Sequence, residues 1–166
     1  MLEQVLAWGS VAQDAATTEP VDVLGVAAAR VDAWTAQACA RDVELCLVGV
    51  AVTGSQTRGA LEQALDVLLD NALHVSPGGG EVRVSVRATS THIQVEVRDQ
   101  GPGMTDEEIT HACRPFWRGA SGRGRKGTGL GLTIAAALLA ASGGRLELGG
   151  SPAGGLRAIA VLPVQG

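Results

Sequence analysis

The sequence of 166 residues predicts an α+β domain, a two-layer sandwich whose mixed, mostly antiparallel sheet carries helices on one face. Three observations lead there. Residues 58–74, "RGALEQALDVLLDNALH", place Leu61, Leu65, Leu68, Leu69 and Ala72 on one helical face, with Glu62, Gln63, Asp66 and Asp70 on the polar side. Residues 81–88 and 92–99 alternate with a period of two, and the short "TST" between them makes an antiparallel hairpin of Val82, Val84, Val86 and Ile93, Val95, Val97. An apolar helical run then precedes two more strand-like segments, "RLELGG" and "RAIAVLP", around a glycine-rich turn.

The remaining elements follow in order. Residues 1–16 have helical spacing, with Leu2, Val5, Leu6 and Trp8 to one side, and "TTEP" breaks the pattern. A helix is expected from Val23 to Ala40, a strand over 43–52, and a turn at "TGSQT". "SPGGG" ends the long helix. Thr105 and Glu108 form a capping-box start for a short helix in "TDEEITHAC", and a loop over 114–128 leads to a helix over 129–142. No internal repeat is visible.

Composition narrows the function. Hydrophobic residues make up 46% and charged residues 18%, which is a globular balance. A net charge of −4, aromatics at 2% and no Tyr argue against nucleic-acid binding, which needs cationic surface and stacking rings. Cys39, Cys46 and Cys113 form no CxxC pair and suggest neither a disulfide framework nor a zinc site, which fits a reducing compartment. No signal peptide opens the chain, and the apolar run from Leu130 to Ala141 is too short to span a bilayer, so a soluble chain is expected.

The chemistry gathers at glycines. "GRGRKGTGLGL" sets five glycines and three cations in front of an apolar helix. Gly122, Gly124 and Gly127 satisfy GxGxxG, yet no strand precedes them, and no glycine there is followed by Lys and then Ser or Thr, so dinucleotide and P-loop readings fail. The helix start at "GTGLGL" offers free N–H groups and a positive dipole end, which suit phosphate. "DQGPGM" is either an ordinary turn or a site where Asp99 accepts a donor such as an adenine amino group. Asn71, at the edge of the apolar stripe, is either a plain exposed Asn or an oxygen ligand for Mg²⁺.

In order and interval, "LLDNAL", "DQGPGM" twenty-eight residues on from Asn71 to Asp99, "RPFWRG" and "GTGLGL" resemble the N, G1, F and G2 boxes of the ATP-binding catalytic domain of bacterial sensor histidine kinases. That domain shares a superfamily with the ATPases of Hsp90, gyrase B and MutL, and the resemblance covers about residues 20 to 164. It implies the Bergerat-type fold with a mobile ATP lid. It also implies that Asn71 holds Mg²⁺ and through it the ATP phosphates, and that Asp99 accepts the adenine amino group. Gly101 and Gly103 would let the backbone pass close to the base, Met104 would wall the adenine pocket, and Phe116 and Arg118 would belong to the lid. Gly127, Gly129 and Gly131, with Thr128, Leu130 and Leu132 between them, would close on the phosphates. Arg123, Arg125 and Lys126 are either phosphate-neutralising cations or solvated loop charges.

Three positions depart from the family pattern. Val67 stands where the family often has Asn and the Hsp90-like ATPases have a water-activating Glu, so rapid hydrolysis is disfavoured and phosphoryl transfer to a protein is the better reading. His74 replaces a common Lys or Arg and either substitutes near phosphate when protonated or has no role. Cys113 replaces the first Phe of the F box.

His74, His92 and His111 lack the Glu or Asp that usually follows a phosphoacceptor His. Residues 1–19 therefore read as the tail of a dimerisation hairpin and its linker, and 20–166 as the catalytic domain. The expected partners are ATP, a histidine-bearing dimerisation domain of a homodimeric parent kinase and, indirectly, a response regulator; the fragment itself would be monomeric and cytoplasmic. Two alternatives stand beside this: an anti-sigma-type serine kinase of the same superfamily, and a degenerate interaction module that has lost nucleotide binding.

Overall fold

A computed structural model describes residues 17–119 and 128–165. The helical reading of residues 1–16, and the expectations for Arg123, Arg125, Lys126 and Gly127, lie outside the described residues. The elements run β1 (Thr18–Asp22), α1 (Val23–Ala40), β2 (Glu44–Gly49), β3 (Thr53–Thr57), α2 (Ala60–Val75), β4 (Glu81–Ala88), β5 (His92–Arg98), α3 (Asp106–His111), α4 (Gly131–Ala141), β6 (Arg145–Gly150) and β7 (Leu156–Pro163).

Five strands form one sheet in the order β2-β4-β5-β7-β6. β2 runs parallel to β4, and the other three pairings are antiparallel. Period-two alternation makes the sheet two-sided. Val84 pairs with Val97 and Val97 with Ala158 on the face that joins the helices in one core. On the other face Ser85 pairs with Glu96, and Arg98 with Arg157. Glu96, beneath the two arginines, accepts from Arg98 at 2.8 Å.

α2 is the central helix, and its sequence says why. Leu61, Leu65, Leu68, Leu69 and Leu73 are all buried, each stabilising the fold by about 1.5–3 kcal/mol relative to exposure. Its N-cap, Gly59, has φ of 72° and no side-chain cap. The Gln56 side chain supplies that function from β3: its Oε1 accepts from the Leu61 N–H at 2.7 Å, and its Nε2 donates to Glu62 at 3.1 Å.

Two expectations fail together. "TTEP" and "TGSQT", read as a break and a turn, contribute to β1 and β3, which pair antiparallel from Thr18 opposite Thr57 to Asp22 opposite Thr53. Their partners lie far apart in sequence, and only Val21, Gly54 and Gln56 of the ten residues are buried, so no apolar alternation exists to be read. The last helix starts at Gly131 rather than 129, because Gly129 has φ of 73° and cannot be helical. The capping box of α3 is as expected, with Glu108 N–H donating to Thr105 Oγ1 at 3.2 Å and Thr105 N–H to Glu108 Oε2 at 2.9 Å.

Candidate functional site

A cleft of about 360 Å³ opens between α2, the segment after β5, α3 and the start of α4. Three of the parts that build it each owe their position to a nearby interaction.

The floor is Asp99, which directly follows β5 and is 4% exposed. Its Oδ1 accepts two backbone N–H groups, from Gly101 at 2.9 Å and Leu156 at 3.1 Å. The Asp99 N–H in turn donates to the Leu156 carbonyl at 3.1 Å. Both backbone donors converge on one oxygen, so Oδ2 is the atom left for a ligand. Burial pushes the Asp99 carboxyl above the usual carboxylate range, and the N–H groups of Leu156 and Gly101 oppose that shift in part. The glycines nearby are packing requirements. A Cβ on Gly101 would lie 2.8 Å from the Val75 carbonyl at the end of α2, and one on Gly103 would lie 2.9 Å from the Gly155 carbonyl.

The wall is α2. Asp70, Asn71, His74 and Val75 line the cleft, one helical turn presenting them together. His74 Nδ1 lies 2.7 Å from the Asp70 carbonyl and 3.1 Å from its carboxylate. Asn71 is exposed to the cleft, and its side chain makes no hydrogen bond among the described residues.

The third part is the approach to α4. Thr128, Gly129, Gly131 and Leu132 line the cleft opposite α2. A Cβ on Gly129 would stand 2.9 Å from the backbone of Phe116 and Trp117, so only glycine allows the two segments to meet. A Cβ on Gly131 would stand 3.3 Å from Val67, which packs α4 close against α2. Two further bonds hold α4: Thr133 Oγ1 donates to the Cys113 carbonyl at 2.9 Å, and the Thr57 N–H donates to Ser142 Oγ at 2.9 Å. Burial pushes the Cys113 thiol up, as suits a packed rather than a reactive cysteine.

Asn71, His74, Asp99, Gly103, Met104, Arg118, Thr128, Gly129, Gly131 and Leu132 thus come from four separate sequence segments to one cleft. Gly101, Phe116 and Leu130 do not line it. Gly101 acts on the Asp99 oxygen instead, and the Leu130 carbonyl accepts from Ile134 in the first turn of α4. Phe116 has φ of 61° and is 72% exposed; its neighbour Trp117 is the aromatic of the cleft. Sequence reasoning missed Trp117, Leu156, and the pair made by Glu108 of α3 and its C-cap residue Ala112. The i, i+4 spacing of that pair on a capped helix was a usable signal. Leu156 gave none, since its place depends on how β7 pairs with β5.

The site thus sets a buried carboxylate opposite a glycine-lined helix start on an α+β sandwich. Residues 56–166, more than half of the chain, match the family of histidine kinase-, DNA gyrase B- and HSP90-like ATPases. The chain belongs to that family, and ATP is the ligand the family's ATPase fold implies. Among curated proteins, it is 38% identical over 103 residues to the sensor histidine kinase component HK1 of Mycobacterium tuberculosis, covering 62% of this chain and 60% of that protein. It is 40% identical over 116 residues to the signal transduction histidine-protein kinase/phosphatase MprB of a Mycobacterium species, covering 63% of this chain and 22% of that one. The chain therefore spans less than two thirds of the length of these relatives. Among solved structures, a mycobacterial sensor histidine kinase MprB superposes with a TM-score of 0.77 at 31% identity, covering 89% of this chain and 99% of that one.

Proposed function

We propose that this chain is the ATP-binding catalytic domain of a sensor histidine kinase, presenting the γ-phosphate of ATP to a histidine on a dimerisation domain outside residues 20–166. The observation that carries the reading is Asp99: a buried carboxylate with one oxygen fixed by two backbone N–H groups and the other accepting no hydrogen bond among the described residues. An exocyclic amine is the donor that such an acceptor selects, and adenine carries one. Met104 and Leu156 offer the base apolar cover beside Asp99.

The phosphates would then run toward Gly129 and Gly131 at the start of α4, where N–H groups and the helix dipole favour anions. The Asn71 amide, without a hydrogen-bond partner among the described residues, fits a Mg²⁺ ligand. Among the described residues no group of three His, Cys, Asp or Glu side chains could hold a metal alone, which suits an ion that takes most of its oxygens from phosphate and water. When bound, Mg²⁺ supplies charge neutralisation to the transferring phosphoryl group. Arg118 lines the same cleft and would add a guanidinium on the lid side.

The chemistry left to this chain is positioning. Val67, against Gly131, offers no group to activate water, which favours transfer to a protein over hydrolysis. The names of the relatives favour a histidine acceptor over the serine-kinase and degenerate-module readings. By the same reading, residues 1–19 are the hairpin tail, the parent is a homodimer that signals to a response regulator, and this domain works in the cytoplasm. Among the described residues no helix is long and apolar enough to cross a membrane.

The test supplies the missing half in trans. The chain, γ-labelled ATP and a separately purified histidine-bearing hairpin should give acid-labile label on the hairpin, absent when the chain is omitted. Label on a serine of an added antagonist protein, with none on the hairpin, would replace the histidine reading.

A further inference from the structure

The cleft has an imbalance of charge on its α2 side. Among the described lining residues Asp70, Asp99 and Glu108 are carboxylates, and Arg118 is the guanidinium. A polyphosphate lying along Asn71 would pass close to Asp70, whose carboxylate repels it. A cation on that wall would offset the repulsion, and His74 is the lining residue that could be one.

The hydrogen bonds around His74 assign that role elsewhere. His74 Nε2 lies 3.3 Å from Nη2 of Arg41. A guanidinium can only donate, so Nε2 must be the acceptor. Nδ1 faces the Asp70 carbonyl at 2.7 Å and its carboxylate at 3.1 Å, both acceptors, so Nδ1 holds the proton of the ring. The imidazole in this arrangement is a bridge, donating to Asp70 and accepting from Arg41. The positive charge at the wall belongs to the arginine.

Arg41 is well placed to be held. It is the C-cap residue of α1, and its backbone N–H is fixed on the Ala38 and Cys39 carbonyls. Its side chain is exposed, and among the described residues it has no carboxylate partner that would neutralise it. One N–H is engaged with His74, and the rest of the planar fork remains for phosphate oxygens.

We propose that Arg41, held beside the cleft-lining His74, is a phosphate-binding residue that fixes the polyphosphate end of the nucleotide, with His74 as its positioning residue. The proposal rests on the reading of the cleft as an ATP site. It also adds α1 to an otherwise α2, β5 and α4 site, so the end of α1 becomes part of the nucleotide-responsive surface.

The experiment is a calorimetric titration of the full chain with a non-hydrolysable Mg-ATP analogue and, separately, with adenosine. Arg41→Ala should weaken the triphosphate about tenfold, the worth of one charge-assisted contact, and leave adenosine unchanged. Arg41→Lys should recover part of the loss, since it keeps the charge without the fork. His74→Leu should also weaken the triphosphate, and adding it to Arg41→Ala should cost little more, because both act through one contact. Loss on His74→Leu with none on Arg41→Ala would make His74 itself the ligand and overturn the proposal. Equal loss for adenosine and triphosphate in Arg41→Ala would make the arginine merely structural and overturn it as well. A wild-type chain that binds neither ligand would sink the ATP reading along with the proposal, whereas triphosphate binding insensitive to Arg41 would sink the proposal alone.

Discussion

Asp99→Asn changes one atom of the cleft and separates binding from folding. Both backbone donors, Gly101 and Leu156, point at Oδ1. In the variant the amide oxygen must take that position, because the alternative aims the NH₂ at two N–H groups. The NH₂ then occupies the place of Oδ2 and confronts the adenine amine, donor against donor. The lost bond is charge-assisted and worth about 1.5–3 kcal/mol, and the mismatch adds to it. A total near 3 kcal/mol is roughly two decades in Kd. The fold responds in the opposite direction. Burial raises the Asp99 carboxyl above its ordinary value, so its charged form is a penalty on the folded state. That penalty is present above the folded pKa and is relieved as pH falls through it. The variant lacks it, so its nucleotide-free melting temperature at neutral pH should equal or exceed that of the wild type. Titration calorimetry and thermal melting of the two chains make the assay. Affinity retained within threefold, or a marked fall in melting temperature, would refute the reasoning about which oxygen faces the ligand.

Four further outcomes follow from the same geometry. Nucleotide affinity of the wild type should fall on acidification at a higher pH than an ordinary carboxylate allows, because Asp99 must be ionised to accept, and Asp99→Asn should lack that step; equilibrium dialysis across the acid range checks it. Gly129→Ala must adopt φ of 73° with its Cβ 2.9 Å from the Phe116 backbone, so it should lose stability by about 1–3 kcal/mol and weaken triphosphate binding, measured by urea unfolding and titration. Gln56→Ala should destabilise by about 1–3 kcal/mol, since it strands the Leu61 N–H at the start of α2, and the denaturant midpoint reports it. Asn71→Ala should leave adenosine binding intact while reducing the gain that Mg²⁺ gives to ATP-analogue affinity, read from titrations with and without the ion.

What could be read from the sequence depended on whether the signal was local. α2 announced itself because four leucines and an alanine recur at helical spacing over a continuous run, and β4 and β5 because valines alternate on strands joined by a short turn. β1 and β3 did not, since their pairing is long-range and Gln56, their most important side chain, is polar yet buried at 2% exposure to cap a helix. The cleft follows the same rule. Asp99 and the glycines stood in compact motifs whose spacing resembled a family, and ten of the motif residues meet in space. Leu156 and Arg41 come from distant segments, so their relation to Asp99 and His74 exists only once β7 lies on β5 and α1 packs on α2. His74 was read either as a protonated substitute near phosphate or as a residue with no role; the partners of its two nitrogens were invisible in one dimension, and they make it a bridge in this arrangement.

The most direct test of the central claim is a pair of calorimetric titrations of the full chain, with non-hydrolysable analogues of ATP and of GTP, each with and without Mg²⁺. Guanine places a carbonyl oxygen where adenine carries its amine, and a buried carboxylate at Asp99 repels it. Saturable ATP-analogue binding, tighter with Mg²⁺ and with no comparable heat from the GTP analogue, is the predicted result. Absence of binding at millimolar ATP analogue, or equal binding of the two purines, would contradict an adenine site built on Asp99.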